Sequence, residues 1–367
     1  MSCTDSATTK RIIRFKHSDD YDRFLEQLSA DPLASSQLSA SISHIPVIHA
    51  ISCPLHDLAA LESFHEKIWI EQDLQINVQA SSSQKSSAPD KGIPWGVQQI
   101  KAPLAWGVTT GYRVKVGVID TGIDYSHPDL SNSIIHGINL LNRSMPPIDD
   151  NGHGTHIAGT IAAANQLHGM IGVAPRALIA PIKAFDHNGS AFVSDIILGI
   201  EWCIRNQIQV INMSFGMKSR SKALQAAVTN AYNSGVIIVA SSGNDGRRRT
   251  IDYPARYSQT ISVGATTNQR RVAPFSNRGV YIDVYAPGDK IVSAWLRGKY
   301  NEMSGTSMAT SHVSGAIALL LAHKPKLTTP EIRSLVKRSV QPLKNNKARR
   351  IIGELDVMRL LQAADKL

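Results

Sequence analysis

From Ile93 onward, short apolar runs rich in β-branched residues recur along the chain: VKVGVI (114–119), LIAPIKAF (178–185), VINMSF (210–215) and VIIVAS (236–241). None alternates cleanly with polar residues, so none has a face to give to water. The segments between them, such as SDIILGIEWCIRN (194–206) and SKALQAAVTNAYNSG (221–235), read as helices. Apolar strands alternating with helices predict a mostly parallel sheet covered on both faces, a three-layer αβα body.

The front of the chain has a different rhythm. RIIRF (11–15) reads as a strand and DYDRFLEQLSAD (20–31) as a helix, with Tyr21, Phe24, Leu25 and Leu28 at helical spacing. LSASISHI (38–45) and VIHAISC (47–53) read as strands, HDLAALESFH (56–65) as a second helix and KIWIEQDLQI (67–76) as a last strand. This βαββαβ order predicts a small α+β, ferredoxin-like domain over residues 1–77. VQASSSQKSSAPDKG (78–92) is Ser-rich without an apolar period and reads as an exposed, flexible, proteolytically accessible linker, leaving 93–367 as the body.

Composition narrows the class. At 43% hydrophobic and 19% charged residues the chain is ordinary globular material, and no run of eighteen apolar residues predicts a membrane span. The N-terminus, MSCTDSATTKRIIRF, lacks the apolar core of a secretory signal, which points to the cytoplasm, with an extracellular location as the alternative. Cys3, Cys53 and Cys203 have no CxxC partners, so neither a metal cluster nor a disulfide framework is expected. The net charge of +10 is uneven: residues 1–92 hold 8 Lys+Arg against 12 Asp+Glu, and the rest 31 against 17. A solvated basic face accounts for this without nucleic acid, because no nucleic-acid motif accompanies it, and opposite signs let the two parts attract each other. A monomer is expected.

Three segments carry candidate chemistry. In VGVIDTGIDYSHPDL (116–130) a strand delivers Asp120 at its carboxyl end, where ligands sit in parallel α/β sheets; a turn-forming Asp is the plainer reading. In DNGHGTHIAGTIAAA (150–164), Gly152 and Gly154 flank His153 at the start of a small-residue helix; no third metal ligand follows, and His156 reads as a buried supporting residue. In SGTSMATSHVSG (304–315), Ser307 stands at the start of an apolar helix, where unpaired N–H groups favour negative charge; an ordinary N-cap is the alternative. Serine becomes a nucleophile when a histidine takes its proton, and the histidine needs a carboxylate to orient it. VIIVASSGNDG (236–246) adds Asn244, whose amide could serve an oxyanion or only build a turn.

VGVIDTGID, NGHGTHIAGT, VINMSFG, ASSGN and NEMSGTSMATSHVSG stand in the order found in the subtilisin-like serine peptidases, and residues 93 to 365 closely resemble that family. The absence of a Gly-x-Ser-x-Gly elbow argues against an α/β-hydrolase esterase. The resemblance implies a serine endopeptidase in which Asp120 orients, His153 is general base and then acid, Ser307 is the acylating nucleophile and Asn244 donates to the oxyanion with the Ser307 N–H. It implies a substrate cleft walled by Ser214, Phe215 and Gly216 and by Ser241 and Gly243, with Gly189 and Ser190 on the edge that pairs with extended peptide. It also implies a front domain that acts as an inhibitory propeptide and is cut within the linker.

Four positions depart from the family pattern. Ser311 stands where proline is usual and Met217 where glycine is common. Asp252, before Tyr253-Pro254, is acidic where the primary pocket usually has a small residue, and so could favour Arg or Lys before the cleaved bond. The rival reading is that Arg247, Arg248, Arg249 or Arg256 neutralises it. The family's structural Ca2+ would take Asp129 and the loop residues Ala164, Gln166, His168 and Met170, the last two through carbonyls; Lys91 occupies a further ligand position and cannot serve.

Overall fold

The computed structural model describes residues 10–30, 42–54, 61, 63–78, 82–87, 92–164, 169–344 and 352–367. The central sheet runs in the order Val340–Pro342, Gly353–Leu355, Val284–Pro287, Thr260–Thr266, Ile237–Ser241, Val210–Met213, Lys115–Asp120, Leu178–Lys183, Ile138–Asn139. Every neighbouring pair is parallel except Val340–Pro342 with Gly353–Leu355. The inner strands Val210–Met213 and Ile237–Ser241 are mostly apolar and buried on both faces. Along Lys115–Asp120, Val116 and Val118 enter one core with Ile157, Ile161 and Ile317, while Ile119 enters the other with Ile196, Ile200 and Leu224. The αβα body expected from the sequence is present.

The helix Thr306–His323 is buried continuously from Thr306 to Leu321, so it lies within a core instead of presenting a stripe to one. Its hydroxyls are satisfied inside that core. Thr310 Oγ1 donates to Thr306 O at 2.8 Å, Ser311 Oγ to Met308 O at 2.7 Å, and Ser314 Oγ to Asn212 Oδ1 at 2.8 Å. Ser311 thus supplies its own polar partner at the unusual position.

The front domain forms an antiparallel sheet in the order Ser43–Ile45, Ala50–Pro54, Lys10–Phe15, Ile68–Gln72. Its two faces have different partners. Ile13, Phe15, Phe24 and Phe64 make its own core with the helix Ser18–Ala30, whereas Ile12, Ile45, Ile48 and Ala50 join the core beneath the body helices Val193–Arg205 and Lys222–Asn233. Of the second predicted helix, residues 55–60 and 62 lie outside the described residues, and 63–67 are a tight 3-10 turn.

The linker differs most from expectation. The last predicted strand breaks at Asp73, and Gln75–Val78 lies antiparallel between Ser190–Phe192 and Phe215–Gly216. Ser82–Ser86 is also a strand, antiparallel to Lys299–Ser304 with Ser82 opposite Ser304. Serine-rich sequence suggested flexibility because serine offers little to pack. An added edge strand is held by backbone hydrogen bonds, which need no side chain. Residues 79–81 and 88–91 lie outside the described residues. Among the described residues no helix is long and apolar enough to cross a membrane.

Candidate active site

The site forms at the carboxyl ends of the parallel strands, as α/β topology predicts. Asp120 ends Lys115–Asp120, Ser214 follows Val210–Met213 and Ser241 ends Ile237–Ser241, while His153 and Ser307 start two packed helices. Asp120 Oδ1 lies 2.7 Å from His153 Nδ1 and both side chains are buried, so the ring is fixed with Nδ1–H facing the carboxylate. His153 Nε2, at the other end of the ring, is buried and has no hydrogen-bond partner among the described residues.

Close approach of these elements requires glycine. A Cβ on Gly154 would fall 2.1 Å from Gly122 O, so the His153 helix could not reach the Asp120 loop with any other residue there. Gly152, at φ +108°, makes the turn that opens this helix.

Ser307 Oγ donates to Ser214 O at 2.9 Å. Asn244 Oδ1 accepts from Thr306 N at 2.9 Å and Thr306 Oγ1 at 2.8 Å, which orients the amide with its oxygen toward the helix start and makes NH2 the donor end. Gly243 N donates to Thr306 Oγ1 at 3.3 Å, tying the Asn244 loop to the Ser307 helix. The two packed helices and the Asn244 loop supply a hydroxyl, an oriented imidazole and N–H donors, the groups that acyl transfer requires.

The sequence matches the subtilase family profile over residues 111–354. The chain belongs to the subtilase family. An alkaline protease of Alkalihalobacillus alcalophilus is 38% identical over 352 residues, 93% of this chain and 89% of that protein. Subtilisin E of Bacillus subtilis is 44% identical over 261 residues, 70% of this chain and 68% of that protein. A subtilisin of Bacillus pumilus is 45% identical over 248 residues, 66% of this chain and 90% of that protein. The protein is a subtilisin-like serine peptidase, a hydrolase of peptide bonds.

Within this subtilase, the edges expected to bind peptide already hold a strand of the same chain. Val78 N donates to Gly189 O at 2.9 Å, Asn77 stands opposite both Ser190 and Gly216, and Ser190 Oγ donates to Asn77 Oδ1 at 2.6 Å. Phe215 lies opposite Val78. Two carboxylates of the front domain cap body helices. Asp73 accepts Ser194 N at 3.0 Å and Ser194 Oγ at 2.7 Å, and Glu71 accepts Lys222 N at 3.0 Å and Ser221 Oγ at 2.5 Å. The sequence gives no sign of these contacts, which span more than a hundred residues.

Asp149 is the functional-site residue that sequence reasoning missed. Its Oδ1 accepts Thr121 Oγ1 at 2.8 Å, Asn151 N at 2.9 Å and Gly152 N at 2.8 Å, and its Oδ2 accepts Thr155 N at 2.9 Å and Thr155 Oγ1 at 2.6 Å. The readable signal was an Asp three residues before a glycine-turned helix start, a capping pattern. His156 is supporting, as expected: Nε2–H faces the carbonyls of Ile291 and Asn301 at 2.9 and 3.1 Å, and burial lowers its pKa to about 3.

Asp252 lies behind Gly243, where a Cβ would fall 2.5 Å from Asp252 Oδ2. Lys218, a cation not weighed from the sequence, lies 2.8 Å from Asp252 Oδ1. Arg256, one of the four arginines proposed there, stacks over the rings of Tyr253 and Tyr281. Met217 exchanges two backbone hydrogen bonds of 2.9 Å with Tyr253.

At the expected calcium position, Asp129 Oδ2 accepts Tyr300 Oη at 2.6 Å and Met170 N at 2.9 Å. Met170 meets Asp129 through its N–H. Burial, then the Asp129 carboxylate, pushes the Tyr300 pKa up. Ala164 N donates to Asp129 O at 2.9 Å, and Gln166, His168 and Lys91 lie outside the described residues. Asp129 Oδ1 is buried without a hydrogen-bond partner among the described residues, which fits an oxygen ligand of a hard cation.

Proposed function

We propose that this subtilase is an endopeptidase made as a monomeric zymogen that cuts itself between the front domain and the body. The observation that carries this is the pair of strands, Gln75–Val78 and Ser82–Ser86, paired along the two arms of the cleft that meet at Ser307. A bond between Val78 and Ser82 is the one cut. Ser307 Oγ turns from Ser214 O to His153 Nε2, gives up its proton and attacks the carbonyl carbon. Asn244 NH2 and the Ser307 N–H hold the oxyanion. His153 passes the proton to the departing amine as the C–N bond breaks, and water then releases the acid by the same route.

After cutting, Gln75–Val78 remains as an inhibitory product strand, supported by the Glu71 and Asp73 caps. Protein substrates later use the same edges. The buried carboxylate of Asp252 fits Arg or Lys before the cleaved bond. Asp129 and the carbonyls of the 164–170 loop fit a structural Ca2+, which would order that loop. A body bearing its own inhibitor fits an enzyme exported before activation.

N-terminal sequencing of purified wild type beside Ser307→Ala tests the proposal. Wild type is expected to show a new terminus within 79–82 and Ser307→Ala none. Identical processing of both proteins overturns self-cutting.

A further inference from the structure

Arg247, Arg248 and Arg249 stand side by side on the loop that follows Asn244, and all are exposed. Main-chain pairing joins them to a fourth arginine. Arg278 N donates to Arg247 O at 2.9 Å, Arg249 N donates to Arg278 O at 2.6 Å, and Arg248 stands opposite Arg278 in a parallel bridge. These bonds fix the roots of the side chains, so the backbone cannot spread to relieve repulsion between them. Like charges facing each other across paired backbone are destabilising. Arg249 adds a left-handed backbone, φ +63°, which disfavours a residue with a Cβ.

The carboxylates of the same loops are engaged elsewhere. Asp245 and Asp252 pair with Lys218, and Asp283 pairs with Arg333 and Lys337. Arg247 adds to the pull on Asp245. Among the described residues no carboxylate forms an ion pair with Arg248, Arg249 or Arg278. Backbone strain and like-charge contact, both held in place by the surrounding fold, mark the patch as a place where a ligand completes the structure.

The patch is also fixed relative to the reaction centre. Asn277, fully buried beside Arg278, donates its N–H to Gly243 O at 2.9 Å and its Nδ2–H to Ser242 O at 3.1 Å. Its Oδ1 accepts Asp245 N at 3.1 Å and Arg247 N at 3.4 Å. One side chain thus locks both ends of the stretch that carries Asn244. From Asn244 to Arg247 is three residues, at most about 11 Å of chain.

We propose that Arg247, Arg248, Arg249 and Arg278 form an exosite for an acidic stretch of a protein substrate, engaged while the same substrate lies in the cleft. Guanidinium forks take carboxylates in paired hydrogen bonds, and an acidic segment removes the repulsion that the backbone imposes. The ring of Tyr281, three residues past Arg278, already carries Arg256 over it, so a surface that could stack a nucleobase is engaged by a cation. The choice of a protein as ligand rests on the peptidase reading above.

Peptides that share one cleavable core and carry a Glu-rich or a Gln-rich extension on either side test it. At low salt kcat/KM is expected to be about fivefold or more higher for Glu on one side, through KM, and the gain should vanish at about 0.5 M NaCl. Arg248→Gln/Arg249→Asn should erase the preference and leave the Gln peptides unchanged; asparagine tolerates the left-handed backbone. Equal cleavage by wild type, or a preference that survives the double variant, overturns the proposal. If the double variant misfolds, judged by its rate on the Gln peptides, Arg248→Gln alone carries the same criterion. Fluorescence anisotropy of a labelled Glu-rich peptide on full-length Ser307→Ala reads the exosite without cleavage. Salt-sensitive binding there beside a wild type that cleaves no peptide would remove the peptidase reading and keep the exosite. Tighter binding of an oligothymidylate of equal charge would overturn the assignment to a protein.

Discussion

Thr121 Oγ1 donates to Asp149 Oδ1 at 2.8 Å, and this bond ties the loop after Asp120 to the turn before His153. Three further hydrogen bonds run from Asp149 to backbone N–H groups of Asn151, Gly152 and Thr155. The distance between Asp120 and His153 is thus set by a second carboxylate that meets neither.

Asp149→Ala leaves those buried N–H groups without their acceptor. A loss on the order of 3 kcal/mol in stability is expected, since hydrogen bonds to a charged group are worth about 1.5–3 kcal/mol each and do not add fully. kcat should fall more than KM rises, because the substrate edges lie on other loops. Urea unfolding and steady-state kinetics check both.

Asn244→Ala removes the side-chain donor proposed for the oxyanion and leaves the Asp120–His153 bond in place. A fall in kcat of about 100- to 1000-fold with little change in KM is expected; that magnitude was established on the corresponding asparagine of a subtilisin. A loss carried by KM instead would show that Asn244 serves binding.

Glu71→Gln together with Asp73→Asn weakens both helix caps. Each cap is worth about 0.5–2 kcal/mol, so front-domain opening should become roughly tenfold or more easier. Hydrogen exchange across 194–196 and 222–224 in the uncut Ser307→Ala background measures it, and unchanged protection would assign docking to the apolar contacts alone.

Docking should also respond to pH. The Asp195 carboxyl is raised to about 6, first by burial and then by the charge of Asp73, with Lys10 opposing. A group whose pKa is raised by the docked domain binds its proton more tightly there, so docking is favoured at acid pH and weakens as pH rises through about 6. Release of the cut front domain should accelerate as pH rises from about 4 to about 6 and level off above that, because the proton is then absent from both states. Asp195→Asn should flatten the profile.

Chelation tests the calcium proposal without reference to activity. Excess EDTA should lower the melting temperature, and added Ca2+ should restore it. Asp129→Asn should abolish the difference, and a melting curve indifferent to EDTA in the wild type would contradict the assignment.

The αβα body was legible because VKVGVI, VINMSF and VIIVAS are apolar on both faces, and only a covered parallel sheet can use such strands. The candidate site was legible through glycines: Gly152, Gly154 and Gly243 mark places where backbone or side chain must come unusually close. The serines after Ser307 fitted the reading of a buried helix, and each proved to satisfy its hydroxyl locally or on Asn212. Two features were hidden. The strand Ser82–Ser86 has no periodic signal, since a strand paired through its backbone needs none. The Lys218–Asp252 pair could not be read either, because sequence distance says nothing of which cation a loop brings inward.

The sequence by itself determined the class of chain: which runs must be buried, where helices start on glycine turns, and which hydroxyl, imidazole and carboxylate lie near element ends. These follow from local propensity and burial, which are written residue by residue. The tertiary structure decided which groups meet. Asp149 behind Asp120 and His153, Glu71 and Asp73 on the body helices, and Lys218 over Asp252 are charge and hydrogen-bond pairings across long stretches of chain. Such pairings depend on distances of a few ångströms, and only the packed fold fixes those.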